Sequence, residues 1–331
     1  MAVKINKFLR WFGGILGVLF LWIFCLGTEV LASGVIDVDR ETSLTLYFGG
    51  DGNGFSDVEF RIYRVADISE KGEFTLTEDY ADYAVSLAGL DSSGWRALAQ
   101  TLDAYIARDG LGPLQTKATD SSGQAIFENL PTGLYLVEGE CCRQNGYSYN
   151  PEPCLVSLPG LDQESNEWTY EENISCKYQR EDSPDLDQDS IERKVLKVWK
   201  DDGKEAKRPE EISVQLLRDG AVYDTVTLSA DNDWRYTWRD LDSKSQWQMT
   251  EYETPKNYTV SVNQEGITFV MTNTYQTVTD TPEDTTTGSN TSTGQNKLPQ
   301  TGMLWWPVPV LACGGMLLIL LGWRKLRHEE K

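Results

Sequence analysis

Hydrophobic positions in this chain follow two patterns. An unbroken apolar run lies near each end, and short alternating segments fill the space between. Near the start, Trp11 to Gly27 is apolar and follows Lys4, Lys7 and Arg10. Small residues come next, ending at Ala32. A basic start, an apolar centre and a small-residue end predict a secretory signal over residues 1–32, cut between Ala32 and Ser33. An uncleaved anchor is the alternative, because the apolar run is long. Near the other end, Met303 to Trp323 carries no charge. At roughly 20 residues it is long enough to cross a bilayer as a helix. Arg324, Lys325 and Arg327 behind it predict a cytoplasmic tail, residues 324–331. The chain between the two runs is expected outside the cell.

Between them the periodicity is mostly that of strands. In residues 33–180, Ser43 to Tyr47 alternates, Asp51-Gly52-Asn53-Gly54 is a turn, and Val58 to Val65 reads as a second strand. One helix interrupts: Asp91 is placed as its N-cap, and Trp95, Leu98, Leu102, Tyr105 and Ile106 recur at helical spacing up to Gly110. That stripe is expected to pack into the core. Strand pattern resumes from Gly123 to Val137, from Pro153 to Pro159, and around Trp168, Tyr170 and Ile174. Residues 181–192 are acidic and expected as an extended linker. Residues 193–275 read as about seven short strands, with Asp219-Gly220 as a hairpin turn, which predicts an all-β sandwich. Residues 276–297 are rich in Thr, Ser, Gly and Asn. They lack the apolar content to bury a core and are expected as a spacer.

Composition narrows the chemistry. The net charge of −21 disfavours nucleic acid as a partner. The single histidine is His328, in the predicted tail. The exterior part would therefore have no histidine for a triad, a general base or most zinc sites, and an enzyme is not expected. Asp51, Asn53 and Asp57 carry calcium-type donors but lack a bidentate Glu at the required distance, so no metal or other cofactor is expected. Four of the six cysteines, Cys141, Cys142, Cys154 and Cys176, lie between the apolar runs. Outside the cell they are candidates for disulfides. Cys141 and Cys142 are adjacent and would strain if joined to each other. Cross-pairings with Cys154 and Cys176 remain, and sequence does not choose among them.

Three resemblances sharpen this reading. First, Leu298-Pro299-Gln300-Thr301-Gly302, the apolar span and the basic tail together resemble the cell-wall sorting signal of Gram-positive surface proteins. The resemblance implies that a membrane sortase cuts between Thr301 and Gly302 and holds the Thr301 carbonyl as a thioester. A peptidoglycan-precursor amine then accepts it. Pro299 forces an extended bend and Gly302 leaves the scissile bond uncrowded. The product would be secreted and anchored to the wall, after a transient single-pass membrane intermediate.

Second, the run GQAIFENLPTGLYLVE, residues 123–138, resembles the signature of SpaA-type and Cna B-type pilin and adhesin domains. These are Ig-like, transthyretin-like β-sandwiches, so the helix would be an insertion between strands. Third, KVWKDDGKEAKRPEEISVQLLRDG, LSADNDWRYTWRDL and TFVMTNTY, in that order within residues 193–275, resemble the Cna B-type domain. The implied architecture is all-β, with two such sandwiches in tandem.

Some Cna B-type domains join a Lys on the first strand to an Asn on the last, assisted by a buried acid. The resemblance places these roles on Lys197, Asn273 and Glu251. Strand parity agrees. Val195, Lys197 and Trp199 share one face; Ile267, Phe269, Met271 and Asn273 share another; Trp247, Met249 and Glu251 share a third. Each polar residue falls in an apolar, core-facing row. Burial pushes an amine's pKa down and a carboxyl's up, so a neutral amine can attack the amide while an acid moves protons. The alternative is a buried Lys–Glu pair with no covalent bond. The first unit lacks the pattern: its opening strand has no Lys, and the acid position falls on Gly139. No such bond is expected there.

The leading functional expectation is a non-enzymatic, wall-anchored adhesin or minor pilus subunit that contacts other pilin subunits or a host or matrix ligand. The second is a polymerising pilin. Lys177, in Ile174-Ser175-Cys176-Lys177, sits where that family's acceptor lysine would fall, although the motif's Tyr and Pro are missing and an ordinary surface Lys is the alternative. The third, a secreted enzyme, would need a nucleophile and base in the first unit.

Overall fold

The computed structural model describes residues 34–276, apart from 51, 145, 163, 183–189 and 202. The signal with its Ala32–Ser33 cut, the spacer, the sorting motif from Leu298 to Gly302 and the C-terminal apolar run lie outside the described residues. Among the described residues, no helix is long and apolar enough to cross a membrane.

The first unit is built on a strand, Thr42–Tyr47, whose alternation buries Thr42, Leu44 and Leu46. It runs parallel to Glu171–Ser175 and antiparallel to Gln124–Leu130. The facing sheet places Gly133–Gly139 between Cys154–Leu158 and Glu59–Ile68, with Phe74–Leu76 and Gln115–Ala118 also paired to the last of these. Leu44, Leu46, Phe48, Phe60, Phe127 and Tyr135 fill the space between the sheets.

The strand Gly133–Gly139 is buried on both faces. Tyr135 and Val137 point into the inter-sheet core, whereas Leu134 and Leu136 belong to a second core. The helix Ser92–Asp109 forms that second core with Trp95, Leu98, Leu102 and Ile106. Its ends follow from local chemistry. The Asp91 carboxylate accepts from the Gly94 N–H at 2.8 Å, and Gly110 closes the helix at φ 64.

The second unit has the seven strands expected. One sheet runs Arg235–Asp242, Ser190–Lys200, Thr268–Tyr275, Tyr258–Glu265; the other runs Ala221–Ser229, Glu211–Arg218, Trp247–Glu251. Asp219 and Gly220, both at positive φ (52 and 80), make the tight turn between Glu211–Arg218 and Ala221–Ser229. Val195, Val214, Leu216, Met249, Phe269 and Met271 form the centre.

The acidic stretch expected as a linker is in part strand. Tyr178–Asp182 pairs with Tyr147–Pro151, and the second unit's first strand already starts at Ser190. Ladder pairing draws these acidic residues in: Ile191 lies opposite Leu241, and Arg239 donates to the Glu192 carboxylate at 3.0 Å.

The helix has a second role that its apolar stripe does not announce. Its other side, with Thr101, Asp103 and Tyr105, lies against the second unit. The strand Tyr258–Glu265 is the outer edge of its sheet, and unpaired edges invite association. Here the first unit occupies that edge. The N–H groups of Val260, Val262 and Gln264 donate, each at 2.8 Å, to the Ala84 carbonyl, the Thr101 hydroxyl and the Gln100 side-chain carbonyl.

Candidate functional site

Lys197, Glu251 and Asn273 converge in the core of the second unit. Lys197 lies on Ser190–Lys200, which runs parallel to Thr268–Tyr275. The register sets Lys197 opposite Met271 and Trp199 opposite Asn273, so Lys197 and Asn273 are inward-facing diagonal neighbours. Glu251 reaches them from the facing sheet, at the end of Trp247–Glu251. The three are 4 %, 0 % and 0 % exposed respectively, a burial that residues of these types reach only when partnered.

Their contacts form one network. The Lys197 amine donates to Glu251 Oε1 at 2.8 Å. The Asn273 amide nitrogen donates to both carboxylate oxygens, at 3.1 and 3.0 Å. The Lys197 nitrogen also lies 4.9 Å from the centre of the Trp199 ring. Burial pulls the Lys197 pKa down to about 8, against the opposing pull of Glu251. The amine and the amide thus share one carboxylate oxygen, in a buried site. Chemically, such a site can bring a neutral amine onto an amide carbon beside a group that carries protons.

Two expected neighbours sit differently. Ile267 was placed in the core-facing row with Asn273, but the strand begins at Thr268 after a turn at Gly266, and Ile267 is exposed. Trp199 is only half-buried and packs edge-on against Trp234 and Tyr258.

Among the described residues, the first unit has no comparable constellation in its inter-sheet core. The inward positions of its opening strand are Thr42, Leu44 and Leu46, and Ile174 lies across the parallel pairing. Gly139 lies against Phe60: a Cβ there would come within 2.3 Å of the ring. A carboxylate does not fit without moving Phe60. Glu138 instead accepts from the Tyr63 hydroxyl at 3.1 Å.

The remaining candidates fall elsewhere. Cys154 and Cys176 are hydrogen-bonded neighbours, and this contact together with burial raises the Cys176 thiol. Both are free thiols, and their contact joins two cysteines that the expected cross-pairings with Cys141 and Cys142 did not join. Cys142 packs against the same core, and Cys141 is exposed. Lys177 is exposed, between Glu171–Ser175 and Tyr178–Asp182. Of the calcium-type residues, Asp51 lies outside the described residues, and no group of three His, Cys, Asp or Glu able to hold a metal occurs among those described.

Two residues of the first unit border the site: Arg108, which sequence reasoning did not single out, and Tyr105, which it placed in the helix's core stripe without seeing that it packs into the second unit. The Arg108 guanidinium donates to the Glu251 main-chain carbonyl at 3.4 Å, and Tyr105 joins the second unit's core. A signal was available. From Ala97 to Ala107 the helix carries only one charged residue, Asp103, whereas a helix with a solvent face usually carries several.

Comparison with known proteins finds a family match within the second unit. Residues 193–274 match the model of the Cna protein B-type domain. A curated relative, the collagen adhesin of Staphylococcus aureus, is 26 % identical over 238 residues, which is 63 % of this chain and 19 % of that protein. The chain thus spans about one fifth of the length of the relative it matches. Among solved structures, a single B repeat unit of the collagen-binding surface protein of Staphylococcus aureus is 18 % identical. It covers 72 % of this chain and 98 % of its own, with a TM-score of 0.26. The full-length major pilin SpaD from Corynebacterium diphtheriae is 13 % identical, covers 73 % of this chain and 99 % of its own, and also has a TM-score of 0.26. These are loose superpositions. Within residues 193–274 this chain is similar to the Cna protein B-type domain.

Proposed function

We propose that this chain is a non-enzymatic surface protein of a Gram-positive cell, an adhesin or minor pilus subunit, whose second unit is stapled by an amide between Lys197 and Asn273. The observation that carries the staple is the shared Glu251 carboxylate, contacted by both partners in a buried site. The Lys197 lone pair forms a bond to Asn273 Cγ, and the Cγ–Nδ2 bond breaks. Glu251 takes a proton from the attacking nitrogen and returns it to the departing one, so ammonia leaves and no electrons are exchanged. The product is neutral, which removes the cost of holding an amine and a carboxylate pair in a dry core.

Anchoring follows from the sorting signal: a sortase cuts after Thr301 and transfers the chain to a peptidoglycan precursor. The two units then form a stalk outside the wall. The likeness to a collagen adhesin supports a matrix protein as ligand. The test of the staple is mass spectrometry on digests of the full chain. A peptide joining Lys197 to Asn273, lighter by one ammonia than its parts, is expected; two separate unmodified peptides overturn the reading.

A second reading is favoured by one observation. Lys177 is exposed beside the first unit's last paired strands, where an amine is open to a sortase-bound partner. In that case wall extracts contain a ladder of covalent multimers that Lys177→Ala abolishes.

A further inference from the structure

The staple site is not closed by the second unit alone. The strand Trp247–Glu251 is buried at every position, although a strand of a two-layer sandwich normally shows one face to water. The first unit covers its other face. Gln248 donates to the Asp103 carboxylate at 2.5 Å, and the Tyr105 hydroxyl lies 3.3 Å from the Thr254 hydroxyl. Tyr105 is 4 % exposed.

Arg108 extends this cover to Glu251 itself, through the hydrogen bond to the Glu251 main-chain carbonyl. The guanidinium is held on two sides. It lies 4.6 Å over the Tyr105 ring, and it donates to the Asp109 carboxylate at 2.7 and 2.8 Å. Tyr83 in turn donates to Asp109 at 2.7 Å and packs on Tyr105 with ring centres 4.7 Å apart.

The same unit also steadies the side of the site that carries Asn273. Asn273 pairs with Val260 across the antiparallel ladder. The Val260 N–H faces outward and is taken by Ala84, and the next two outward N–H groups of that strand are taken by Thr101 and Gln100. Both the acid and the amide acceptor are therefore backed by groups from the first unit.

We propose that the helix of the first unit is the lid of the Lys197–Glu251–Asn273 site, with Tyr105 and Arg108 as positioning residues that keep water out and hold Glu251 in register. This rests on the staple reading above. Docking of the two units then precedes fast amide formation, and the staple reports that they have docked. The physical reason is desolvation. The amine attacks only when unprotonated, and dry surroundings favour that form. A lid that opens admits water and returns the lysine to its ammonium state.

The experiment follows ammonia loss with time in the full chain made by cell-free synthesis, at a series of pH values. Two variants are compared with the wild type: Tyr105→Ala with Arg108→Ala, and Gln100→Ala with Thr101→Val, which uncaps the edge strand without touching the site. Amide exchange at Val214 and Leu216, in the middle of Glu211–Arg218, reports whether the second unit is folded. The lid is supported if either variant, with those amides protected, forms the staple at least tenfold more slowly and with the midpoint of its pH–rate curve moved upward. It is overturned if both folded variants react at the wild-type rate with an unmoved midpoint. A wild type that never loses ammonia overturns the staple reading instead, and the lid with it. If the first variant does not fold, the second decides alone, since its conservative changes lie outside the core of the second unit.

Discussion

The Lys197 amine and the Glu251 carboxylate meet at 2.8 Å with both side chains wholly shielded from solvent. Removing one member of such a pair leaves the other charged and unpaired in a dry core, which costs about 3–5 kcal/mol. In the unstapled Asn273→Ala chain, adding Lys197→Met or Glu251→Leu is expected in each case to lower stability by that order in chemical denaturation. Glu251→Gln should also stop ammonia loss, because an amide cannot carry the proton. Wild-type mass loss in Glu251→Gln would exclude the carboxylate as proton carrier.

Asn273→Ala tests the covalent contribution. The proposed staple would close a loop on the order of 80 residues, for which loop entropy on the disulfide scale gives roughly 4.5 kcal/mol. The wild-type chain should therefore withstand denaturant that unfolds Asn273→Ala, and it should keep a compact mobility in denaturing gels. Equal midpoints for the two would mean that no staple constrains the unfolded chain.

The lysine also sets a pH dependence in the unstapled chain. Burial lowers its pKa from 10.5 to about 8. Between those values the unfolded state binds more protons than the folded state, so stability rises with pH through that window. Below about 8 both states are protonated and the penalty is fully present. Denaturation of Asn273→Ala from pH 7 to 11 should show that rise, superimposed on effects common to the wild type. The rate of staple formation should climb towards pH 8 and level above it.

Asp103 carries the opposite dependence. Burial, with Glu138 nearby, raises its carboxyl from 3.8 to about 7. Arg61 and Tyr63 stand by Glu138, and Gln248 donates to Asp103 from the second unit. The folded state binds the extra proton between these pH values, so contact between the units weakens as pH rises from about 4 to 7. Asp103→Asn should stabilise the pair of units on the order of 1–3 kcal/mol at pH 7.5 and have little effect at pH 4. A constant difference across that range would remove Asp103 as the source.

Cys154 and Cys176 are placed to join under an exterior oxidant. Copper-phenanthroline treatment followed by mapping under non-reducing conditions is expected to give a Cys154–Cys176 peptide. Full alkylation of both thiols in the oxidised folded protein would speak against it. The covalent link would tie Cys154–Leu158 to the segment that follows Glu171–Ser175.

The site was legible because the family resemblance named Lys197, Glu251 and Asn273 and strand parity agreed in aiming all three inward, although two of the neighbours used for that parity, Trp199 and Ile267, are not buried. The helix was legible only by half. Periodicity puts Trp95, Leu98, Leu102, Tyr105 and Ile106 in one stripe, but Tyr105 packs into the second unit's core, on a side shared with Thr101 and Asp103 that is mixed in polarity and shows no second stripe. What buries that side is a neighbour far along the chain, and no local pattern encodes it. For the same reason the sequence suggests alternation in Trp247–Glu251, where the structure buries every residue. The closeness of the Cys154 and Cys176 thiols was equally hidden, since it depends on how Cys154–Leu158 and the segment after Glu171–Ser175 pass each other in space.

In each unit, the first strand and a strand near the end of the unit lie side by side and run in the same direction: Thr42–Tyr47 beside Glu171–Ser175, and Ser190–Lys200 beside Thr268–Tyr275. The chain therefore enters and leaves the second unit at opposite ends of this pair. Tension along a tethered chain would act as shear, loading the hydrogen bonds between these strands together instead of unzipping them one by one. An amide from Lys197 to Asn273 bridges that same pair, so the pull would pass from strand to strand through covalent bonds, and most of the second unit would never feel it.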